Sequence, residues 1–221
     1  MNMQMCPIED LASFVRDLGS ECTTLNMGHN YLVAGSKTGR ITLWNTNTGQ
    51  EGWTVKVEGP ISDLEIDKEI YVTASAELHA INKENGVLEW SVDIEGSSDL
   101  IEIDENKIFV TSSLYEIEVQ DYTETTFFTF DKNGQLLGSV NFEEKPWFMK
   151  KQNQKIILGI GRPRCGILTI DDKYNISHSR TDGNSPVNMG IKTNKGFLLG
   201  HSDGTITEIN DSGRKYIQCG N

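Results

Sequence analysis

Ala80-Ile81-Asn82-Lys83-Glu84-Asn85-Gly86-Val87-Leu88-Glu89-Trp90 is the stretch whose reading decides the fold. One short apolar run ends at Asn82, a polar turn follows, and a second run starts at Leu88 and carries Trp90. Asn82 is suited to closing a side-chain-to-backbone turn and Gly86 to supplying a positive φ, while Trp90 is a large apolar wedge that needs a surface to cover. Leu43-Trp44-Asn45-Thr46-Asn47-Thr48-Gly49-Gln50-Glu51-Gly52-Trp53 repeats the arrangement. Working outward, β-type apolar runs ending in Gly or Ser begin at Tyr31, Ile70, Ile108, Ile156 and Phe197, spaced 39, 38, 48 and 41 residues apart.

A repeat of about 40 residues is that of a four-stranded propeller blade. The expected fold class is therefore all-β, a β-propeller with about five visible blades, either closed as five or part of a larger ring of six to eight. The first blade reads as Thr23 to Met27, Tyr31 to Ser36, Ile41 to Asn45 and Trp53 to Val57, and the second as Ile61 to Ile66, Ile70 to Ser75, Leu78 to Asn82 and Leu88 to Ile94. Blades four and five show Ile156 to Gly161 with Ile167 to Asp171, and Phe197 to Ser202 with Thr205 to Asn210. Residues 22–221 are assigned to the repeats and 1–21 to an N-terminal segment. In that segment Pro7, Glu9 and Asp10 are helix-start signals and Gly19 a stop signal. A helix from Pro7 to Leu18 is expected to cap the blades with Ile8, Leu11, Phe14, Val15 and Leu18 on one face.

The 221 residues carry a net charge of −12, unevenly placed. Glu58 to Glu124 contains 18 acids and 3 lysines, whereas Lys145 to Arg180 contains 8 bases and 2 acids. The expectation for the acidic arc is a solvated blade face. A globally acidic chain also argues against nucleic acid, which needs a positive field. No apolar run is long enough to span a membrane, and Met1 to Met5 lack the basic start of a secretory signal. Cys6, Cys22, Cys165 and Cys219 lie far apart and match no zinc spacing, which favours free thiols and a cytoplasmic location.

The first stretch resembles the pyrroloquinoline-quinone-type (PQQ-like) propeller repeat, Ala-x-Asp-x-x-Thr-Gly-x-x-x-Trp, and Leu43 to Trp53 is similar to it. Gly35-Ser36-Lys37-Thr38-Gly39-Arg40-Ile41 and Gly200-His201-Ser202-Asp203-Gly204-Thr205-Ile206 resemble WD-repeat hairpins. Later blades depart from the pattern: Gly138 stands at the tryptophan position after Gly134, Ile217 after Gly213, and the fourth blade has Asp171-Asp172-Lys173-Tyr174 without glycine. The resemblance implies a propeller. The quinone enzymes of that family have a larger ring, an adjacent cysteine pair and a calcium site. This sequence has no Cys-Cys, and it looks more like the cofactor-free BamB-like assembly factors.

Chemistry-bearing residues are scattered. His29, His79, His178 and His201 have no metal-ligand spacing, and His201 beside Ser202 and Asp203 suits a hairpin brace better than a triad. Asp63, Glu65 and Asp67 leave one face of their strand; with Glu102 and Asp104 they form a carboxylate set with cation-binding composition. Two segments break the repeat. Leu114 to Thr125 enlarges the third blade as a hairpin carrying Tyr115 and Tyr122, and in the fourth blade Trp147 and Phe148 open the sheet while Arg162 and Arg164 flank a turn. The resemblance implies that these segments reach one rim of the ring, where aromatic and Arg side chains have the composition of a binding hot spot. For Trp147 and Phe148, replacement of the missing blade tryptophans in the core is the competing role. The expected function is a non-enzymatic scaffold that binds a protein partner and carries no cofactor. A PQQ- or calcium-dependent enzyme, and nucleic-acid binding through the basic fourth blade, are the alternatives.

Overall fold

The computed structural model describes residues 12, 14–181, 185–210 and 213–218. Among them stand five four-stranded antiparallel sheets, each a meander in which sequence neighbours pair. The first holds β1 (Cys22–Met27), β2 (Tyr31–Ser36), β3 (Arg40–Asn45) and β4 (Glu51–Lys56). The second holds β5 (Ile61–Ile66), β6 (Glu69–Ala74), β7 (Glu77–Asn82) and β8 (Leu88–Asp93). The third contains β9 (Ser97–Ile103), β10 (Lys107–Glu116), β11 (Asp121–Asp131) and β12 (Leu136–Phe142). The fourth is β13 (Pro146–Gln152), β14 (Lys155–Ile160), β15 (Gly166–Ile170) and β16 (Ile176–Ser179); the fifth is β17 (Val187–Thr193), β18 (Gly196–His201), β19 (Thr205–Asn210) and β20 (Gly213–Gln218). The expected runs agree with these strands to within two residues.

Two compact units are distinguishable. The first holds residues up to Ser75 and His79–Glu89, the second Ala76–Leu78 and the residues from Trp90 onward. In the first unit Val33, Ile41 and Trp53 of one sheet share a core with Ile61, Leu64, Ile70 and Val72 of the next. In the second, Phe109, Phe127 and Phe142 pack with Met149, Ile156, Leu158 and Leu168, and Phe148 and Ile167 pack with Val187, Phe197 and Leu199. Middle strands such as β6, buried along almost their whole length, are continuous apolar runs, while the outer β8 alternates exposed and half-buried residues. A sheet whose inner strands are covered on both faces requires that pattern.

The wedges are visible. Trp53 is buried, its indole N–H donates to the Lys83 carbonyl at 2.8 Å, and its ring lies over Gly86, where an added Cβ would come within 2.7 Å of Cδ2. Trp90 lies in the same way against Gly134, whose φ is +83°. Where the third sheet has Gly138, the pair is inverted: Tyr174, itself at φ 63°, brings its hydroxyl to where a Cβ on Gly138 would stand. The bulky group has moved from strand to turn.

Among the described residues the expected helix is absent. Ala12 and Phe14 to Leu18 form no helix, and Pro7 to Leu11 lie outside the described residues. The segment runs as a strap instead. Leu18 is buried with Ala34 and Trp44, the Arg16 Nε donates to the Gly49 carbonyl at 2.7 Å, and Phe14 lies over Gly49 as Trp53 lies over Gly86. Val15, expected on the buried face, is 64% exposed. A short isolated helix is marginal in water, and these side-chain contacts favour the extended path. Gly19 does adopt positive φ, 77°, and the Asp17 carboxylate accepts its N–H at 2.7 Å.

The uneven charge also has a physical reason other than solvation. Within the second unit, Asp99, Glu102 and Asp104 of the third sheet pair with Lys145, Lys150 and Lys151 of the fourth, and the fully buried Glu144 pairs with Arg164. Three acids of the acidic stretch are thus paired with three lysines of the basic one.

Candidate functional site

The enlarged hairpin is formed by β10 and β11, with Tyr115 directly paired to Tyr122 and Glu116 to Asp121. Their rings meet edge to face, centroids 5.2 Å apart. The four-residue tip places Ile117 and Val119 in solvent, with Leu114 and Tyr115 half exposed beside them. This apolar tip projects from a sheet whose inner strands bury Ile108, Phe109, Val110, Phe127 and Phe130.

Beneath it, Lys145 organises a pocket. Its ammonium sits 3.9 Å from the Tyr122 ring centroid and 5.2 Å from that of Trp147, and it ion-pairs with Asp99 at 2.6 Å. Ser113 donates its hydroxyl to the other Asp99 oxygen. Burial pushes the Asp99 carboxyl up, outweighing the opposing charge and hydrogen bond of Lys145 and the hydrogen bond from Ser113. A cation held against two aromatic faces is stabilised by about 0.5–2 kcal/mol per contact. Lys145 is therefore a structural pin, already neutralised by Asp99.

The pocket has a volume of about 240 Å³ and is lined by Asp121, Tyr122, Lys145, Trp147, Arg162 and Asn188 among others. Trp147 is 47% exposed and Arg162 is exposed. Gly161 lies under the indole, where an added Cβ would sit 3.1 Å from Nε1. Asn188 accepts a hydrogen bond from the Ser202 hydroxyl at 2.9 Å. With Lys145 committed to Asp99, Arg162 is the cation that faces outward beside an indole.

Of the six residues singled out in the sequence, the structure brings Tyr122, Trp147 and Arg162 to one pocket and sets Tyr115 against its edge. It does not bring Phe148 or Arg164 there. Phe148 is buried against Phe197, ring centroids 6.0 Å apart. Arg164 grips Glu144 through two nitrogens, Nη2 at 2.6 Å, which raises the guanidinium's pKa. The sequence reading missed Lys145 and Asp99. Lys145 had a local signal, its position just before Pro146-Trp147; Asp99, 46 residues earlier, had none.

The other candidates serve the fold. The buried His201 ring bridges the Ser185 carbonyl at 3.2 Å and the Thr207 hydroxyl at 2.8 Å, and Asp203 accepts from the Thr205 N–H and hydroxyl. His178 Nε2 sits 2.7 Å from the Cys165 carbonyl oxygen. Asp63 accepts from the Thr24 hydroxyl and Glu65 from the Asn26 amide, while Glu102 and Asp104 pair with lysines. Among the described residues, no group of three or more His, Cys, Asp or Glu side chains is placed to hold a metal ion. Cys22 and Cys165 are free thiols, with burial raising the Cys165 pKa; Cys6 and Cys219 lie outside the described residues. No helix among the described residues is long and apolar enough to cross a membrane.

A family model described as outer membrane protein assembly factor BamB matches residues 12–98 and, in a second overlapping alignment, 37–137. Among solved structures, the β-propeller domain of Cps50 (Swd1) from Myceliophteria thermophila is similar with a TM-score of 0.66 and 12% identity, over 87% of this chain and 65% of that one. The computationally designed protein Ika4 is similar with a TM-score of 0.57 and 16% identity, over 72% of this chain and 99% of that one. At such identities the likeness shows a shared fold. No curated protein matches the chain in sequence.

Proposed function

The chain belongs to the PQQ-like β-propeller family described as outer membrane protein assembly factor BamB, and on that premise we propose that it is a non-enzymatic scaffold that binds a protein partner at the rim of its third and fourth sheets. One observation carries the reading: an exposed apolar hairpin tip stands beside a pocket where Trp147 and Arg162 face outward together. Exposed apolar side chains clustered next to an aromatic and an Arg have the composition of interface hot spots. The partner segment that fits is acidic and partly apolar, with a carboxylate on the guanidinium and an aliphatic or aromatic side chain on the indole. The family description, an assembly factor, supports a role in handling other chains. A cytoplasmic location goes with this reading on the support of the free thiols Cys22 and Cys165. Pairing of Lys145, Lys150, Lys151 and Arg164 with carboxylates counts against the nucleic-acid alternative and leaves it Lys155 and Arg162 of the basic arc.

The test is a peptide array that varies acidity and aromatic content. The wild-type protein should retain acidic, aromatic-containing peptides; Arg162→Ser should lose them with an unchanged melting temperature, and Trp147→Ala, which also gives up a ring contact to Lys145, should lose them with a melting temperature lowered by at most a few degrees. Retention that ignores peptide charge, or that survives both substitutions, refutes the reading.

A further inference from the structure

In the first unit a cleft opens between the strap and strands β3 and β4. Its volume is about 370 Å³, and its lining, which includes Leu18, Gly19, Thr38, Arg40, Thr54 and Lys56, contains no carboxylate. Two cations stand side by side there, because the register of β3 and β4 sets Arg40 directly opposite Lys56. Opposed residues of antiparallel strands leave the same face with Cβ atoms about 4.5–5.5 Å apart, and like charges so placed repel. The face is the one the strap covers. Ile41 points into the core shared with the second sheet, so Arg40, Thr42 and Trp44 leave the other side, where Trp44 packs on Leu18.

Neither Arg40 nor Lys56 makes an ion pair among the described residues, whereas Lys37, Lys145, Lys150, Lys151 and Arg164 each meet a carboxylate. The Arg40 Nε is buried without a hydrogen-bond partner, and Nη1 lies beside Gly19, where an added Cβ would stand 3.4 Å from it. A charged donor shut off from water without an acceptor is costly. The carboxylates at the edge of the cleft are turned to other donors: Asp17 accepts the Gly19 N–H at 2.7 Å, and Glu51 accepts the Thr54 hydroxyl at 3.0 Å. An anion seated on the two cations would relieve their repulsion and supply the missing acceptor.

We propose that this cleft binds a phosphomonoester, with the phosphate between the Arg40 guanidinium and the Lys56 ammonium. A phosphomonoester carries about −1.5 to −2 charge near neutral pH, which matches two cations, and the planar guanidinium presents a fork of N–H groups to phosphate oxygens. The volume of about 370 Å³ falls within the roughly 300–1,000 Å³ of small-molecule sites and leaves room for the esterified group. The same chemistry is offered by a small phosphorylated metabolite and by a phosphorylated side chain of another protein.

The experiment titrates the full chain with methyl phosphate, dimethyl phosphate and acetate at constant ionic strength while following backbone amide resonances. Methyl phosphate should shift the amides of Gly19, Arg40 and Lys56 and bind about fivefold more tightly than the singly charged dimethyl phosphate or acetate. Arg40→Gln should weaken it by about tenfold or more, the range for hydrogen bonds to a charged group, and Lys56→Gln by up to about fivefold, the range for an exposed charge. Each substitution removes one of two opposed cations, so neither should lower the melting temperature in phosphate-free buffer, which keeps a binding loss apart from a folding defect. Arg162→Ser should leave methyl phosphate binding unchanged, which separates this site from the rim. O-phosphoserine, free and within a peptide, distinguishes the sources: equal affinities identify a small molecule, and tighter binding of the peptide a phosphorylated chain. If methyl phosphate moves none of these amides at millimolar concentration, binds no better than dimethyl phosphate, or binds Arg40→Gln as it binds the wild type, the proposal is overturned.

Discussion

The wedge contact makes a quantitative prediction at Trp53 and Gly86. Replacing Trp53 with Ala deletes a buried aromatic side chain and should destabilise the first unit by about 3–5 kcal/mol, of which about 1 kcal/mol is the hydrogen bond to the Lys83 carbonyl. Gly86→Ala carries two separate costs. At φ 73° an L-residue is strained by about 1–2 kcal/mol in any background. The new Cβ would also stand 2.7 Å from the indole Cδ2, and displacing a packed ring costs about 1–3 kcal/mol more. In a Trp53→Ala background the ring is gone and only the backbone cost remains. The double variant should therefore be more stable than the sum of the single changes predicts, by about 1–3 kcal/mol. Urea unfolding of the four proteins, followed by circular dichroism, measures the cycle. Additivity within about 0.5 kcal/mol would refute the reasoning, because it would mean that glycine is required by backbone conformation alone.

Other expectations follow from the same geometry. Leu18→Asp places a charge among Leu32, Ala34 and Trp44 and should lower the melting temperature by several degrees, while Val15→Asp, in solvent, should leave the melting curve unchanged. Arg164→Ser strips the fully buried Glu144 of its partner and should cost about 3 kcal/mol in chemical denaturation, whereas the exposed Arg162→Ser should cost less than about 0.5 kcal/mol. Asp104 gives a pH signature: burial raises its pKa, but hydrogen bonds from Lys151 and the N–H groups of Asn106 and Lys107, with the Lys151 charge, outweigh burial and hold it below the usual aspartate value. Its stabilising effect is full above the unfolded aspartate pKa of about 3.9 and is lost as pH falls through the lower folded value. Asp104→Asn should flatten the acid limb of a stability-versus-pH curve, and an unchanged limb would remove Asp104 from the account.

The strands were legible because strand patterning is local. Alternation of side chains, a turn with Asn or Asp, and a glycine at positive φ are fixed by neighbours in the chain, which is why Tyr31 to Ser36 and Thr205 to Asn210 are read without error. The wedges Trp53 and Trp90 were legible for the same reason. At the rim, Tyr122, Trp147 and Arg162 were visible as composition, but Arg164 and Phe148 have the same composition and are taken up by Glu144 and Phe197. The helix expected from Pro7 to Leu18 failed on its described part, because its start and stop signals are local while the strap is stabilised by Gly49 and by Leu18's contacts on β2 and β3.

Sequence by itself determined an all-β chain of about five four-stranded repeats, with Trp and Gly at defined places in the first turns. Only the tertiary structure decided that the acidic and basic stretches meet, Asp99 with Lys145 and Asp104 with Lys151, 46 and 47 residues apart. It also decided that Tyr174 comes from a turn to cover Gly138. Ion pairing and burial depend on which sheets stack and in what register, and residue spacing along one strand carries no information about the strand that will face it.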